Sequence, residues 1–209
     1  KAKCEIFQHL KKDGLVILNG DDALLDTVAV PFRTVRCGKS QHCQAQITEI
    51  ADYGVEGVCC TVVTEKSRYR LNIPAPGEHM AYAAAIAAAA GEALGLSREE
   101  IVRGAGAYVP AGSRMRVLRL PERRMLLDDC YNANPQSVAA ALEILARTEC
   151  GKRVAVLGDM GELGNLESRA HYNMGALAAM LGIDMVFAIG SGDRAGRIAD
   201  GVAQSGGSV

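Results

Sequence analysis

The sequence predicts an α/β chain of two domains, and three observations carry that prediction. Beyond residue 112, short apolar runs alternate strictly with amphipathic stretches of helical period, the pattern of βαβ units on a mostly parallel sheet. Between residues 32 and 73, alternating runs separated by Gly, Asp and Ser clusters predict a small antiparallel sheet. Between these regions stands Val109-Pro110-Ala111-Gly112, a Pro- and Gly-bearing breaker that reads as a joint, so the domains are expected at 1–112 and 113–209.

In residues 1–10, Ala2, Ile6, Phe7 and Leu10 share one face at helical spacing, which predicts the end of a helix. Asp13-Gly14 turns into Leu15-Val16-Ile17-Leu18, a continuous apolar run suited to a buried parallel strand, and Asn19-Gly20-Asp21-Asp22 forms the turn at its carboxyl end. Residues 55–63 and 68–73 alternate as strands. Pro74 to Gly77 breaks the chain before a helix over 78–94 that Gly95 stops. Ser97, with Glu100 three residues on, is a capping box opening a helix that fades at Gly104 and Gly106. After the joint, strands are expected at 124–127, 153–157 and 185–189, and helices at 135–146 and 166–181. The last residues begin another helix, so the second sheet is expected to be incomplete.

Composition narrows the function. Of 209 residues, 23 are basic and 24 acidic, a net charge of −1 that offers no field to attract nucleic acid or an anionic membrane. No apolar run reaches the roughly 18 residues a bilayer span needs; the alanine-rich stretch from Ala81 to Ala90 is short and holds Tyr82. The seven cysteines are odd in number and lack a framework spacing, so they read as small apolar fillers in a reducing, cytoplasmic protein. There is no initiator methionine, and both ends read as cut.

In open parallel sheets, ligands sit at the carboxyl ends of strands. The most informative such end is Leu126-Leu127-Asp128-Asp129-Cys130-Tyr131-Asn132-Ala133-Asn134-Pro135. Asn134 suits a helix N-cap and Pro135 the first helical position, where a missing N–H costs nothing. Asn132 and Asn134 as turn formers alone is one reading. Two carboxylates, a phenol and two amides exceed what a turn requires, and Asp128 and Asp129 alternate, so one of them faces the crevice. The glycines of Gly158-Asp159-Met160-Gly161-Glu162-Leu163-Gly164 do not match a dinucleotide fingerprint, which leaves a ligand-lining loop and a plain turn both open. Gly38-Lys39-Ser40 imitates the end of a phosphate loop, but the glycine required five positions earlier is Arg33, so it is a false match. His42 lies between Cys37 and Cys43 without a fourth ligand, and zinc is not expected. His9 and His171 are expected on the surface or on helix faces. His79 stands in the first turn of the alanine-rich helix, beside free N–H groups that suit a polar or anionic ligand. Lys3 reads as a solvated helix lysine, and Arg114 as a surface arginine or one reaching an anion across a domain interface.

Taken in order, Lys1-Ala2-Lys3-Cys4-Glu5-Ile6-Phe7, Asn19-Gly20-Asp21-Asp22, Pro76-Gly77-Glu78-His79-Met80, the Asp128–Pro135 string and the Gly158–Gly164 string resemble the Mur ligases of peptidoglycan precursor synthesis. Tyr-Asn-Ala-Asn-Pro and Gly-Asp-Met-x-Glu-Leu-Gly are similar to the branch that joins D-Ala-D-Ala to UDP-N-acetylmuramoyl-tripeptide. The resemblance implies that 1–112 is the C-terminal part of a central ATPase domain and 113–209 the N-terminal part of a Rossmann-like ligase domain. It implies a cytoplasmic, monomeric parent enzyme in which ATP activates a peptide carboxylate as an acyl phosphate that an amine then attacks. It implies that Lys3 matches a lysine carbamylated in the family, whose carbamate offers hard oxygens near Mg²⁺. It places His79 in the adenine-binding segment, Arg114 on the nucleotide from the joint, and Asp129 on the ribose hydroxyls, with Tyr131 and Asn132 lining the same cleft. Departures are Ala83 where an adenine-reading asparagine is usual, Cys4 for a glycine, and Cys130 for a serine. The phosphate loop, an upstream acidic magnesium ligand and the UDP-binding domain fall outside these residues, as does a late segment for D-Ala-D-Ala. No catalytic set is therefore complete here, and this polypeptide alone is not expected to ligate. Another Mur-type amino-acid ligase, or a non-catalytic module that kept the fold, is the alternative.

Overall fold

Leu15–Asn19 (β1) forms where the apolar run demands it, with its alternate residues Val16 and Leu18 buried. A computed structural model describes residues 2–208, apart from the side chains of Ala2, Lys3 and Asp26, and the chain divides into two units, Lys1–Val109 and Pro110–Val209. In the first unit the leading segment Ala2–His9 is a 3₁₀ helix. After β1 the side chain of Asp22 caps a short helix, Ala23–Asp26 (α1), by accepting from Leu24 and Leu25 N–H at 2.8 and 3.1 Å.

Arg33–Gly38 (β2) runs parallel to β1, and Ala45–Asp52 (β3) runs parallel to β2 through Cys37 and Gly38. Val58–Val63 (β4) and Arg68–Ile73 (β5) complete the sheet antiparallel, in the order β1-β2-β3-β4-β5. The expected antiparallel sheet is thus β3 to β5 only, and it is continuous with a parallel half. The strand at 33–38 falls inside the expected sheet region but runs parallel to both neighbours, and it is buried only at its end. β5 alternates as its pattern requires, with Tyr69, Leu71 and Ile73 inward and Arg68, Arg70 and Asn72 outward.

Met80–Ala93 (α2) lies against all five strands. Its buried Ala81, Ala84, Ala85, Ala88 and Ala89 have no bulk to hold the helix away, so the backbone approaches the sheet closely. Arg98–Gly106 (α3) carries the capping box of Ser97 and Glu100 and buries Ile101 beside β5.

The second unit opens with an antiparallel hairpin, Arg116–Leu120 (β6) and Arg124–Asp128 (β7), closed through Glu122 and Arg123 in left-handed backbone conformation. β6 is unforeseen in the sequence reading, and β7 pairs with it rather than joining a βαβ ladder. Arg116 and Arg119 punctuate β6, and half-exposed strands of this kind lose their apolar signal. Pro135–Arg147 (α4), Val154–Leu157 (β8), Glu167–Met180 (α5), Met185–Ala188 (β9) and Arg194–Gln204 (α6) come next in the expected alternation. β8 and β9 pair in parallel across α5, the one βαβ crossover among the described residues of this unit. Leu142, Ala155, Ala178, Val186, Ile198 and Val202 form the core. α5 and α6 meet backbone to backbone: a Cβ on Gly175 would lie 2.0 Å from Ile198 O, and one on Gly201 2.1 Å from Tyr172 O.

All seven cysteines are free; Cys37, Cys43, Cys59 and Cys60 are buried, and Cys130 and Cys150 are exposed. No helix among the described residues is long and apolar enough to cross a membrane.

Candidate functional site

β7 delivers Asp128 and Asp129 to its carboxyl end, and hydrogen bonds beyond the hairpin fix the segment from there to Tyr131. Asp129 Oδ1 accepts the Met115 N–H at 2.8 Å, and the Tyr131 N–H donates to Ser113 O at 3.1 Å. Met115 is buried and has φ of 48°, a left-handed conformation that a side chain adopts at a cost, and the Asp129 carboxylate pins it there. Arg114, between these two tethers, lies over the Tyr131 ring with Cζ 4.0 Å from the ring centroid. Both side chains are exposed. Hydrogen bonds from the Cys130 thiol and the Ser113 side chain hold Asp128 below the usual carboxylate range.

Asn134 is the N-cap of α4, accepting from Gln136 and Ser137 N–H at 3.0 Å each, and Pro135 takes the first helical position. Asn132 is exposed and accepts the Ala133 N–H at 2.9 Å. This end of β7 presents one carboxylate with a spare oxygen, one arginine with no carboxylate partner within its unit among the described residues, and a phenol ring. That set suits a ligand carrying both hydroxyls and anionic groups.

The loop after β8 is tied down by its own neighbours. Asp159 Oδ2 accepts from Ser191 N–H, Ser191 Oγ and Arg194 NH1 at 3.2, 2.9 and 3.1 Å, and Arg194 forks onto Glu167 at 2.9 and 3.0 Å. The Ser191 N–H leads in holding Asp159 below the ordinary carboxylate range. A cavity of about 570 Å³ opens beside this cluster, lined by Glu167, Ser168, Ser191, Gly192, Asp193, Arg194 and Arg197. Of the two positions expected for His171, a helix face holds and the surface does not: it lies on α5 and is wholly buried. Its Nε2 accepts the Met160 N–H at 3.0 Å, so the proton sits on Nδ1, which donates to Glu167 O at 2.8 Å. His171 is the clamp on the Gly158–Gly164 loop, and its contact with Met160 spans 11 residues of chain, beyond any local sequence signal.

In the first unit, Asp21 is a residue the sequence reading passed over. Its carboxylate accepts Lys39 N–H at 2.6 Å, Ser40 N–H at 3.1 Å, Ser40 Oγ at 2.6 Å and Tyr82 OH at 2.9 Å. Partial burial alone would raise its pKa, but these hydrogen bonds, that of the Ser40 hydroxyl foremost, pull it down to about 2. Gly38-Lys39-Ser40 therefore does wrap an anion, and that anion is the chain's own side chain. A Cβ at Gly38 would lie 2.7 Å from the Asp21 carboxylate. Tyr82 and an ion pair between Lys39 and Glu78 bind this knot to the start of α2. His79 stands there exposed, with no capping hydrogen bond, and Ala83 is exposed one turn later. His42 Nε2 lies 3.2 Å from Gly20 O, a structural contact. The side chain of Lys3 lies outside the described residues. Among the described residues no three of His, Cys, Asp and Glu gather as a metal site.

Comparison with known proteins gives a family model described as the Mur ligase middle domain matching residues 1–91, and one described as the Mur ligase glutamate ligase domain matching residues 113–209. The UDP-N-acetylmuramoyl-tripeptide–D-alanyl-D-alanine ligase of Bacillus subtilis is 34% identical over 191 residues, covering 91% of this chain and 41% of that enzyme. A crystal structure of MurF from Acinetobacter baumannii superposes with a TM-score of 0.83 at 30% identity, over 96% of this chain and 43% of that one. MurF from Thermotoga maritima in complex with ADP shares the fold, with a TM-score of 0.77 at 22% identity over 94% of this chain and 44% of that one. The chain spans under half the length of the curated relatives it matches.

Proposed function

The chain belongs to the Mur ligase family, and on that premise we propose that it is part of an ATP-dependent peptide ligase. The reaction is the joining of D-Ala-D-Ala to UDP-N-acetylmuramoyl-tripeptide in the cytoplasm. In it, a peptide carboxylate oxygen takes the terminal phosphoryl group of ATP and releases ADP. The amine of D-Ala-D-Ala then attacks the acyl carbon, and phosphate leaves as the amide bond forms. Residues 1–112 supply the C-terminal part of the central ATP-binding domain, and 113–209 the N-terminal part of the ligase domain.

The observation that carries the reading is the end of β7. Arg114, an arginine with no carboxylate of its own unit to neutralise it among the described residues, stands beside Asp129, whose Oδ1 is taken by Met115 N–H and whose Oδ2 takes no hydrogen bond among the described residues. In this role Asp129 accepts the ribose hydroxyls, Arg114 meets the phosphates, and Tyr131 and Asn132 border the same group. His79 serves the adenine side, where Ala83 offers no amide. Lys3, as a carbamate, contributes to the magnesium site with further ligands from outside these residues; the ion supplies charge neutralisation at the phosphates.

The test is phosphate release by the full protein carrying these residues, supplied with ATP, UDP-N-acetylmuramoyl-tripeptide and D-Ala-D-Ala. Turnover is expected to require the dipeptide, and Arg114→Ala and Asp129→Ala are each expected to raise the KM for ATP about tenfold, roughly the worth of one charge-assisted hydrogen bond. Turnover with a single amino acid in place of the dipeptide, or an ATP dependence untouched by both substitutions, would overturn the reading.

A further inference from the structure

Two arginines of the second unit are held in opposite ways. Arg194 spends its donors on Glu167 and Asp159, so its charge is neutralised inside the fold. Arg114 meets no carboxylate within its unit among the described residues, and its guanidinium rests on an aromatic ring instead. A ring face attracts a cation through its quadrupole but takes up none of the N–H donors. The guanidinium is thereby placed without being consumed.

The placement is built from the backbone up. Ser113 and Met115, the residues on either side of Arg114, are each tied to the segment after β7 that carries Tyr131, one through Tyr131 N–H to Ser113 O and the other through Met115 N–H to Asp129 Oδ1. Met115 is held in left-handed conformation to allow this. An exposed arginine ordinarily samples many rotamers, and this freedom must be given up when it grips a ligand. Here two tethers and a ring restrict the side chain before any ligand arrives. Tyr131 is 65% exposed, and its hydroxyl makes no hydrogen bond among the described residues, so the ring is the part of the side chain in use.

We propose that Tyr131 is a positioning residue: its ring holds the Arg114 guanidinium ready for the phosphates of the nucleotide, and Tyr131 itself does not touch the nucleotide. This rests on the reading of Arg114 given above and assigns Tyr131 a role through Arg114 in place of lining the cleft.

The experiment is a double-mutant cycle on ADP affinity, measured by titration calorimetry on the full protein. Tyr131→Leu is expected to weaken ADP about threefold, the scale of a solvent-exposed cation–π contact. In an Arg114→Ala background the same substitution is expected to change nothing, and Tyr131→Phe restores what leucine loses. In the wild type the Arg114 Hε resonance is expected to carry an upfield ring-current shift that persists with phenylalanine and vanishes with leucine. Equal losses from Tyr131→Leu in both backgrounds would mean that the ring touches the nucleotide directly, and no loss in either would mean that the stack is idle; both overturn the inference. An Arg114→Ala protein that binds ADP as tightly as the wild type would instead overturn the reading of Arg114.

Discussion

The two units close their sheets differently. In the first, α2 crosses all five strands, and Val62, Leu71, Ala85 and Ala88 between them keep no exposed surface. In the second, the inner residues of β8 and β9, Ala155 and Val186, are buried, but their outward neighbours Val156 and Phe187, paired across the strands, stay 63% and 51% exposed. The first unit is therefore held by a sheet with its own helix upon it. The second is held by the seam of α5 and α6, where two glycines bring backbones together, and by charge knots such as Arg194 with Asp159 and Glu167. The β6–β7 hairpin lies outside that core, and just before and after it stand Arg114, which meets no carboxylate of its unit among the described residues, and Asp129.

The sharpest way to break this comparison is to truncate one strand residue in each unit. Leu71→Ala opens a cavity in a fully buried site and is expected to cost about 2–5 kcal/mol, whereas Val156→Ala on the outer face of β8 is expected to stay within about 0.5 kcal/mol. Urea unfolding of both variants checks the difference, and equal costs would show that the outer face of β8 is covered in solution. A smaller effect is expected at the Asp21 knot. Its pKa is depressed to about 2 from an ordinary 3.8, so its stabilising contribution is fully present above pH 3.8 and fades as pH falls toward 2. Asp21→Asn is therefore expected to cost about 1 kcal/mol near neutral pH, discounted for solvent screening, and to match the wild type near pH 2. Unfolding curves across that range read out the convergence; a gap that is constant with pH would mean that the carboxylate charge plays no part.

Legibility in the sequence tracks the range of the interactions. The continuous run of β1, the alternation of β5, the Ser97 capping box and the Asn134-Pro135 helix start are all local, and all stand where the residues place them. β6 has no counterpart in the sequence pattern because arginines punctuate a strand that is only partly buried, so the two-residue period loses its contrast, and the parallel pairing of β2 depends on neighbours that its own residues do not name. Asp21 looked like a turn residue because its partners lie 18, 19 and 61 residues further on. His171 does stand on a helix face, but its burial was not legible because the amide that it accepts belongs to another loop. The false phosphate loop was rejected on its missing glycine, yet its backbone does cradle an anion; nothing in its three residues states that the anion is Asp21. At the end of β7 the residue types were legible, whereas the stack of Arg114 on Tyr131 depends on a strand pairing that the sequence did not reveal.

The central claim is that the β7 end, around Asp129 and Arg114, receives a nucleotide. Titrating the full protein with ADP while following backbone amide resonances tests it most directly. The amides of Met115, Asp129 and Tyr131 are expected to shift along one saturating curve, while those of Ala155 and Val186 in the core of the same unit stay still. Saturable ADP binding that leaves Met115, Asp129 and Tyr131 unmoved would contradict the account.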